Sequence, residues 1–299
     1  MQDSGARVGV TYVWEQQNVW SQAAAAAKRG VVFARRALGG LTAVAAVLGA
    51  ATAQVGSAHR HVAQGLAVGA AVALALVPLA AQGGSRRRIQ AWTRLRSVSE
   101  ALKAETYRYL AAVAPYNTAD RDRELLDRHR QCTDDADDLT GHTAGLEPRD
   151  RPLPEIHDVD TYVRDRLEAQ VEQYYRPQAR RMARYGIRVR VGATALTVAG
   201  AVLSAAIAVL GDPAGVVVWI GVATTATTAV TGYGAAQQYE EQRLEYARTA
   251  EHLEWLRTVQ STPDAFGDAA FVAEVERIIS LSNDGWMAKM VKEDGATYR

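Results

Sequence analysis

The chain has 299 residues, with 34 Lys and Arg against 33 Asp and Glu and a formal net charge of +1. That balance gives no electrostatic footprint for nucleic acid, whose binding rests on clustered surplus cations. A single cysteine, Cys132, excludes an intrachain disulfide and a cysteine-rich zinc cage. The mean hydropathy of −0.15 averages long uncharged stretches with heavily charged flanks.

Residues 1–9 are polar, show no secretory signal, and are expected to be disordered. Thr11 is placed to cap a helix, its hydroxyl accepting from a free N–H of the first turn. Val13, Trp20 and the Ala23–Ala27 run then lead, without a proline, into Ala37–Ala58, which carries no charge. His59-Arg60-His61 intervenes, and Val62–Ser85 is uncharged again, with Pro78 inside it as an expected bend. A helix is expected to continue inward through Trp92, Leu95, Val98, Leu102 and Leu110, which recur at three- and four-residue steps, and to stop at Pro115. The stretch Asp120–Asp138 reads as a solvated helix and Gly141–Pro154 as loop. A second long helix starts near Asp158, passes Tyr162, Leu167, Val171 and Tyr174, and meets an expected kink at Pro177.

The second half repeats the plan. Val191–Gly211 is uncharged, Asp212-Pro213 intervenes, and Ala214–Tyr239 is uncharged. Beyond it, Glu240–Gln260 is helical by pattern, with Leu244, Ala247, Leu253 and Leu256 on one side. Ala269–Leu281 is a short amphipathic helix, and Gly285 and Gly295 suggest a loose tail. Crossing a bilayer core takes about 20 apolar residues of helix, and all four uncharged segments reach that length. A soluble helix buried on one face shows charges on the other, which these segments do not. The sequence therefore predicts an all-α membrane protein. Four transmembrane helices form two tandem hairpins (spans about 37–58, 62–82, 191–210 and 214–236) with long cytoplasmic helical extensions. Residues 1–116 and 158–299 form the two hairpin units, and residues 117–157 the charged cytoplasmic linker. Lys28, Arg29, Arg35 and Arg36, then Arg86–Arg88, then Arg176–Arg190 flank the spans, whereas the two short turns hold only Arg60. The positive-inside bias puts both termini in the cytoplasm. An offset of about 151 to 154 residues superposes the spans, so the repeat is parallel rather than inverted.

The run Ala91-Trp92 through Ser97-Val98-Ser99-Glu100-Ala101-Leu102-Lys103-Ala104-Glu105-Thr106-Tyr107-Arg108-Tyr109, ending at Pro115-Tyr116, resembles the helix that follows the spans in SLATT proteins. Tyr174-Tyr175, Glu251–Leu256, Phe271–Ile279 and Asn283-Asp284-Gly285-Trp286 resemble the same group in the second half. SLATT abbreviates "SMODS and SLOG-associating two-transmembrane effector", and the chain looks like a tandem form with two such units. The resemblance implies a bacterial inner-membrane effector of a conflict or antiphage system. Such an effector would oligomerise and permeabilise the membrane when a separate nucleotide-signalling or sensor protein triggers it.

Thr224, Thr227, Thr228 and Thr231 fall within about a 100° arc at helical spacing and are candidate pore-lining residues. The alternative is that each hydroxyl bonds the carbonyl one turn back. Small residues recur every four positions at Gly65, Gly69 and Ala73, at Gly200, Ser204 and Ala208, and at Gly221, Thr225 and Ala229. Such rows let helices approach closely, within a subunit or between subunits. Asp134, Asp135, Asp137 and Asp138 lack EF-hand spacing and read as a solvated acidic patch, and Cys132 with His129 and His142 offers too few zinc ligands. No P-loop, GxGxxG, nucleophile elbow or HExxH is present, so neither an enzyme nor a bound cofactor is expected. The spans carry no Asp, Glu, Lys or Arg, which speaks against an ion-coupled transporter. Two functions stay open: a pore-forming effector, or a membrane-tethered interaction scaffold that conducts nothing. Expected partners are the lipid bilayer, further copies of the chain and a sensor protein.

Overall fold

The structure, a computed structural model, describes residues 3–55, 59–211, 220–224, 226–228, 230–231, 238–262 and 266–293. Among these residues there is no strand, and three helices, Val8–Val55, Arg60–Leu110 and Val159–Val209, are long and apolar enough to cross a membrane. This is an all-α membrane fold. Most of the fourth segment, 214–236, lies outside the described residues. Those that are described, at 220–224, 226–228 and 230–231, are helical.

Helix α1 spans Asp3–Val55 in one piece. It starts well before Thr11, which is an interior residue and not a cap. Val10, Val13, Trp14 and Gln17 are all buried, and Gly9 passes within van der Waals range of Asp122, so the turn upstream of Thr11 is held against the core. Helices α2 (Arg60–Gly83) and α3 (Arg86–Leu110) follow. They do not form one uninterrupted α-helix. At Gly84 the chain turns out of register, with the Gly84 N–H donating back to Ala81 and Gln82. Helix α2 includes Pro78 without ending there. Helix α4 (Arg121–Asp134) and the single turn α5 (Thr140–Thr143) occupy the linker.

Asp158 then opens α6 (Val159–Tyr162) with a reciprocal capping box to Thr161. The helix continues through two π-helical segments, Val163–Glu168 and Gln170–Tyr175, before α7 (Arg176–Leu210). Pro177 has no N–H to give the Gln173 carbonyl, and the helix is π-wound in the turns that precede it rather than broken. Gly211, at φ +76°, ends α7 in the left-handed conformation that glycine adopts without a steric penalty. Two more helices close the chain, Tyr239–Gln260 and Asp268–Glu293. The last is longer than the expected Ala269–Leu281, and Gly285 lies within it. On the Tyr239–Gln260 helix the buried face is Thr249, Ala250, Leu253 and Leu256, while Leu244 is exposed.

The chain divides into two compact units, each drawn from both halves of the sequence. The first, a core unit, contains Met1–Arg29, Arg86–Ala179 and Leu244–Arg299. In it Val10, Val13, Trp20 and Ala23 of α1 meet Trp92, Leu95 and Leu102 of α3, with Leu125 and Leu139 closing the cluster. A second cluster gathers Leu167, Val171, Tyr175, Leu253, Leu256, Phe271, Val275 and Ile279 around Tyr107 and Ala111 at the end of α3. Leu110 packs against both clusters. Fully burying one such side chain is worth about 1.5–3 kcal/mol.

The segment after Gly145 is non-helical, as expected, but it is not loose. Trp14, Asn18 and Gln22, one turn apart on α1, hold its backbone. The indole N–H of Trp14 donates to the carbonyls of Arg151 and Pro152 (3.1 and 3.2 Å), the Arg149 N–H donates to Asn18 Oδ1 (3.0 Å), and Gln22 Nε2 donates to the Glu147 carbonyl (2.9 Å).

The second unit, Gly30–Ser85 with Arg180–Arg243, is the membrane unit. Its α1 and α2 segments cross closely. A Cβ at Gly83 would stand 2.6 Å from the Ala34 Cβ, and one at Gly69 would stand 3.2 Å from Leu48. Val44, Val68, Val72, Leu79, Val198, Val202 and Val209 point outward, leaving apolar faces that lipid can cover.

Candidate functional site

The four threonines of the predicted stripe lie on helix and are exposed, apart from half-buried Thr227. Each hydroxyl donates to the carbonyl one turn back: Thr224 to Ile220 (2.9 Å), Thr227 to Ala223 (2.8 Å), Thr228 to Thr224 (3.0 Å) and Thr231 to Thr227 (2.8 Å). The donors are therefore satisfied without water, while each oxygen keeps acceptor capacity toward whatever covers the stripe.

The rows of small residues divide. Gly69 sits against Leu48, and Ala73 is buried, so this part of the first row packs inside the subunit. Gly65 has nothing within 4 Å of its would-be Cβ, and neither does Gly221. Gly200 faces Ala223 at 3.9 Å, while Ala208 is exposed and Ser204 turns its hydroxyl back to the Gly200 carbonyl (2.8 Å). Thr225 and Ala229 lie outside the described residues. The tightest glycine contact among the described residues of this unit, Gly83 on Ala34, belongs to none of the three rows. Its only sequence signal is the Gly83-Gly84 pair at the end of the span.

Asp138 of the linker pairs with α3. Arg94 donates to both carboxylate oxygens of Asp138 (2.6 and 2.7 Å) and to the Asp135 carbonyl (2.9 Å). Burial lowers the pKa of His129, whose ring meets Tyr12 edge-on, and raises that of the Cys132 thiol. Among the described residues no group of three or more His, Cys, Asp or Glu is placed to hold a metal ion.

Sequence reasoning passed over the most heavily buried charges in the core unit. Arg166, on the first π-helical segment, donates through Nε and Nη2 to both oxygens of Glu276 on the closing helix (2.9 and 2.8 Å). Both side chains are 2% exposed. Tyr162 donates to the same carboxylate (2.8 Å), and the guanidinium lies 4.2 Å over the ring of Tyr107 on α3. Burial opposes both charges, but each is held by the other, so Arg166 is raised and Glu276 lowered from their ordinary values. Tyr162 is raised well above the ordinary value by burial and then by Glu276. Lys103, half-buried beside this pair, is pushed down to about 8, first by burial and then by the charge of Arg166. The cluster ties three elements together: α3, the π-wound segment that continues into α7, and the closing helix. It is a buried electrostatic joint whose Arg166 and Glu276 hold their charges at neutral pH.

The family model described as "SMODS and SLOG-associating 2TM effector domain 1" matches residues 162–286. Residues 162–286 are thus similar to SLATT effector domains. No curated protein and no solved structure is significantly similar to the chain. Residues 16–124 match a different family model, described as a protein of unknown function, DUF4231, so the expectation of two SLATT units is met directly only in the second half. The SLATT segment runs from Tyr162 past Glu276 and so contains all three members of the buried hydrogen-bonded charge cluster. The DUF4231 segment supplies Tyr107 and Lys103, which border that cluster within the core unit.

Proposed function

We propose that this protein is an inner-membrane effector of a bacterial conflict or antiphage system, which oligomerises and opens a permeation path when a separate nucleotide-signalling or sensor protein engages it. The match of residues 162–286 to an effector domain carries this reading. Under it the first half acts as a second, SLATT-like two-span unit, both termini and the linker are cytoplasmic, and the chain catalyses nothing. The threonine stripe on the fourth span lines the path, because its oxygens retain acceptor capacity on a segment with no ionisable side chain. Signal reaches the spans through the Arg166–Glu276 joint, since π-wound turns are a frequent place for functional register change in a helix.

The test is ion leakage and growth arrest in cells expressing the chain together with its signalling partners. A Thr224→Leu/Thr228→Leu/Thr231→Leu variant, expressed to the same level, runs beside it. Leakage that the triple variant abolishes supports the pore and its lining. Leakage that persists keeps the pore and moves the lining elsewhere. Absence of leakage under activation overturns the pore and leaves a membrane-tethered scaffold.

A further inference from the structure

An open groove of about 330 Å³ lies in the core unit between α1 and the segment that α1 holds, lined by Asn18, Ser21, Gln22, Arg29, Arg149, Asp150 and Arg151. Three arginines and one aspartate are among its lining residues. Neither Arg29 nor Arg149 has a carboxylate partner among the described residues, and both are exposed. The Arg151 guanidinium lies 4.6 Å over the Trp14 ring, at the opposite end of the segment from Arg29. The Arg149–Arg151 backbone is itself pinned by Trp14 and Asn18, so the cationic side is presented on a held segment. Ser21 and the amides of Asn18 and Gln22 add neutral polar groups. The volume falls at the lower end of the roughly 300–1,000 Å³ usual for small-molecule sites. Planar guanidinium forks match phosphate oxygens in pairs. From Trp14 to Arg29 is fifteen residues, about 22 Å of helix, and the uncharged stretch begins at Ala37, eight residues beyond Arg29 on the same helix.

We infer that this groove binds a phosphate-bearing anion through Arg29 and Arg149. The phosphate can be that of a lipid headgroup or of a free soluble compound, and the experiment separates the two. The full chain is placed in phosphatidylcholine nanodiscs, and amide exchange of residues 145–153 is followed with and without 1 mM inorganic pyrophosphate. The measurement is repeated without pyrophosphate in nanodiscs containing phosphatidylglycerol. An Arg29→Gln/Arg149→Gln variant runs in parallel, its folding checked by an unchanged thermal midpoint. Both substitutions are at exposed positions, and neither disturbs the hold of Trp14 on the segment.

At least threefold slower exchange on adding pyrophosphate, lost in the variant, establishes the site with a soluble ligand. The same protection appearing only with phosphatidylglycerol, and lost in the variant, assigns it to a headgroup. No protection under either condition, or protection that the variant retains, overturns the inference.

Discussion

Arg166 and Glu276 lie 110 residues apart in sequence and meet with almost no access to solvent. Glu276→Gln leaves the Arg166 charge buried and under-compensated, and an unfolding free-energy loss of roughly 3–5 kcal/mol is expected for breaking such a pair. An Arg166→Met/Glu276→Leu double variant, which removes both charges, should recover most of that loss. Thermal unfolding of the full chain in detergent compares them, and a double variant as unstable as the single one would contradict the argument. Lys103 gives a prediction of opposite sense. Its native pKa of about 8 lies below the ordinary 10.5, so the unfolded chain holds that proton more tightly. Stability then rises with pH from about 8 toward 10.5. Above about 10 the buried tyrosines work against it. Tyr109, pushed up to about 12 by burial and then by Asp122, keeps a proton that the unfolded chain loses. The melting midpoint should therefore climb between about pH 8 and 10, and Lys103→Met should flatten that climb. None of this was legible residue by residue. Arg166 stands two positions from Arg164, which forms an ordinary exposed pair with Asp165. What separates the two arginines is packing against a helix that comes 110 residues later.

At the scale of elements, the uncharged spans were readable because lipid excludes charge so strongly that its imprint survives in a single sequence. Asp158 was readable for a related reason, since a helix N-terminus has few ways to satisfy its free N–H groups. Asp158→Ala removes the capping box and should cost about 1 kcal/mol, visible as a lower midpoint in the same melts. The π-wound turns left no comparable trace, because the hydrogen-bond pattern between residues 163 and 175 depends on what the helix packs against. The tightest glycine contact between α1 and α2 was hidden as well. Three rows of small residues advertised contact, while this one falls on Gly83 and Ala34. Gly83→Leu should accordingly disrupt the first hairpin, and adding Ala34→Gly should restore part of the loss. Equal destabilisation by Gly83→Leu and Gly65→Leu would remove the basis for that distinction, since Gly65 has open space around it.

At the scale of the molecule, the basic flanks of the spans lead to the orientation proposed above. In a Cys132→Ser background, a cysteine at His61 should react with an impermeant thiol reagent in intact cells, and one at Asp150 only after permeabilisation. The reverse pattern would invert the topology. The division into compact units was not readable, because the repeat suggests one unit per half while the core unit takes segments from both. That threading sets an order in time. Glu276 is synthesised 110 residues after Arg166, an interval of roughly 5–20 s at typical elongation rates of about 5–20 residues per second. Throughout it Arg166 has no Glu276 to meet, and the last two uncharged segments, Val191–Gly211 and Ala214–Tyr239, are themselves made within that interval. Maturation is thereby tied to translation of the closing helix: a chain interrupted after the last span can enter the bilayer but cannot close its charge joint.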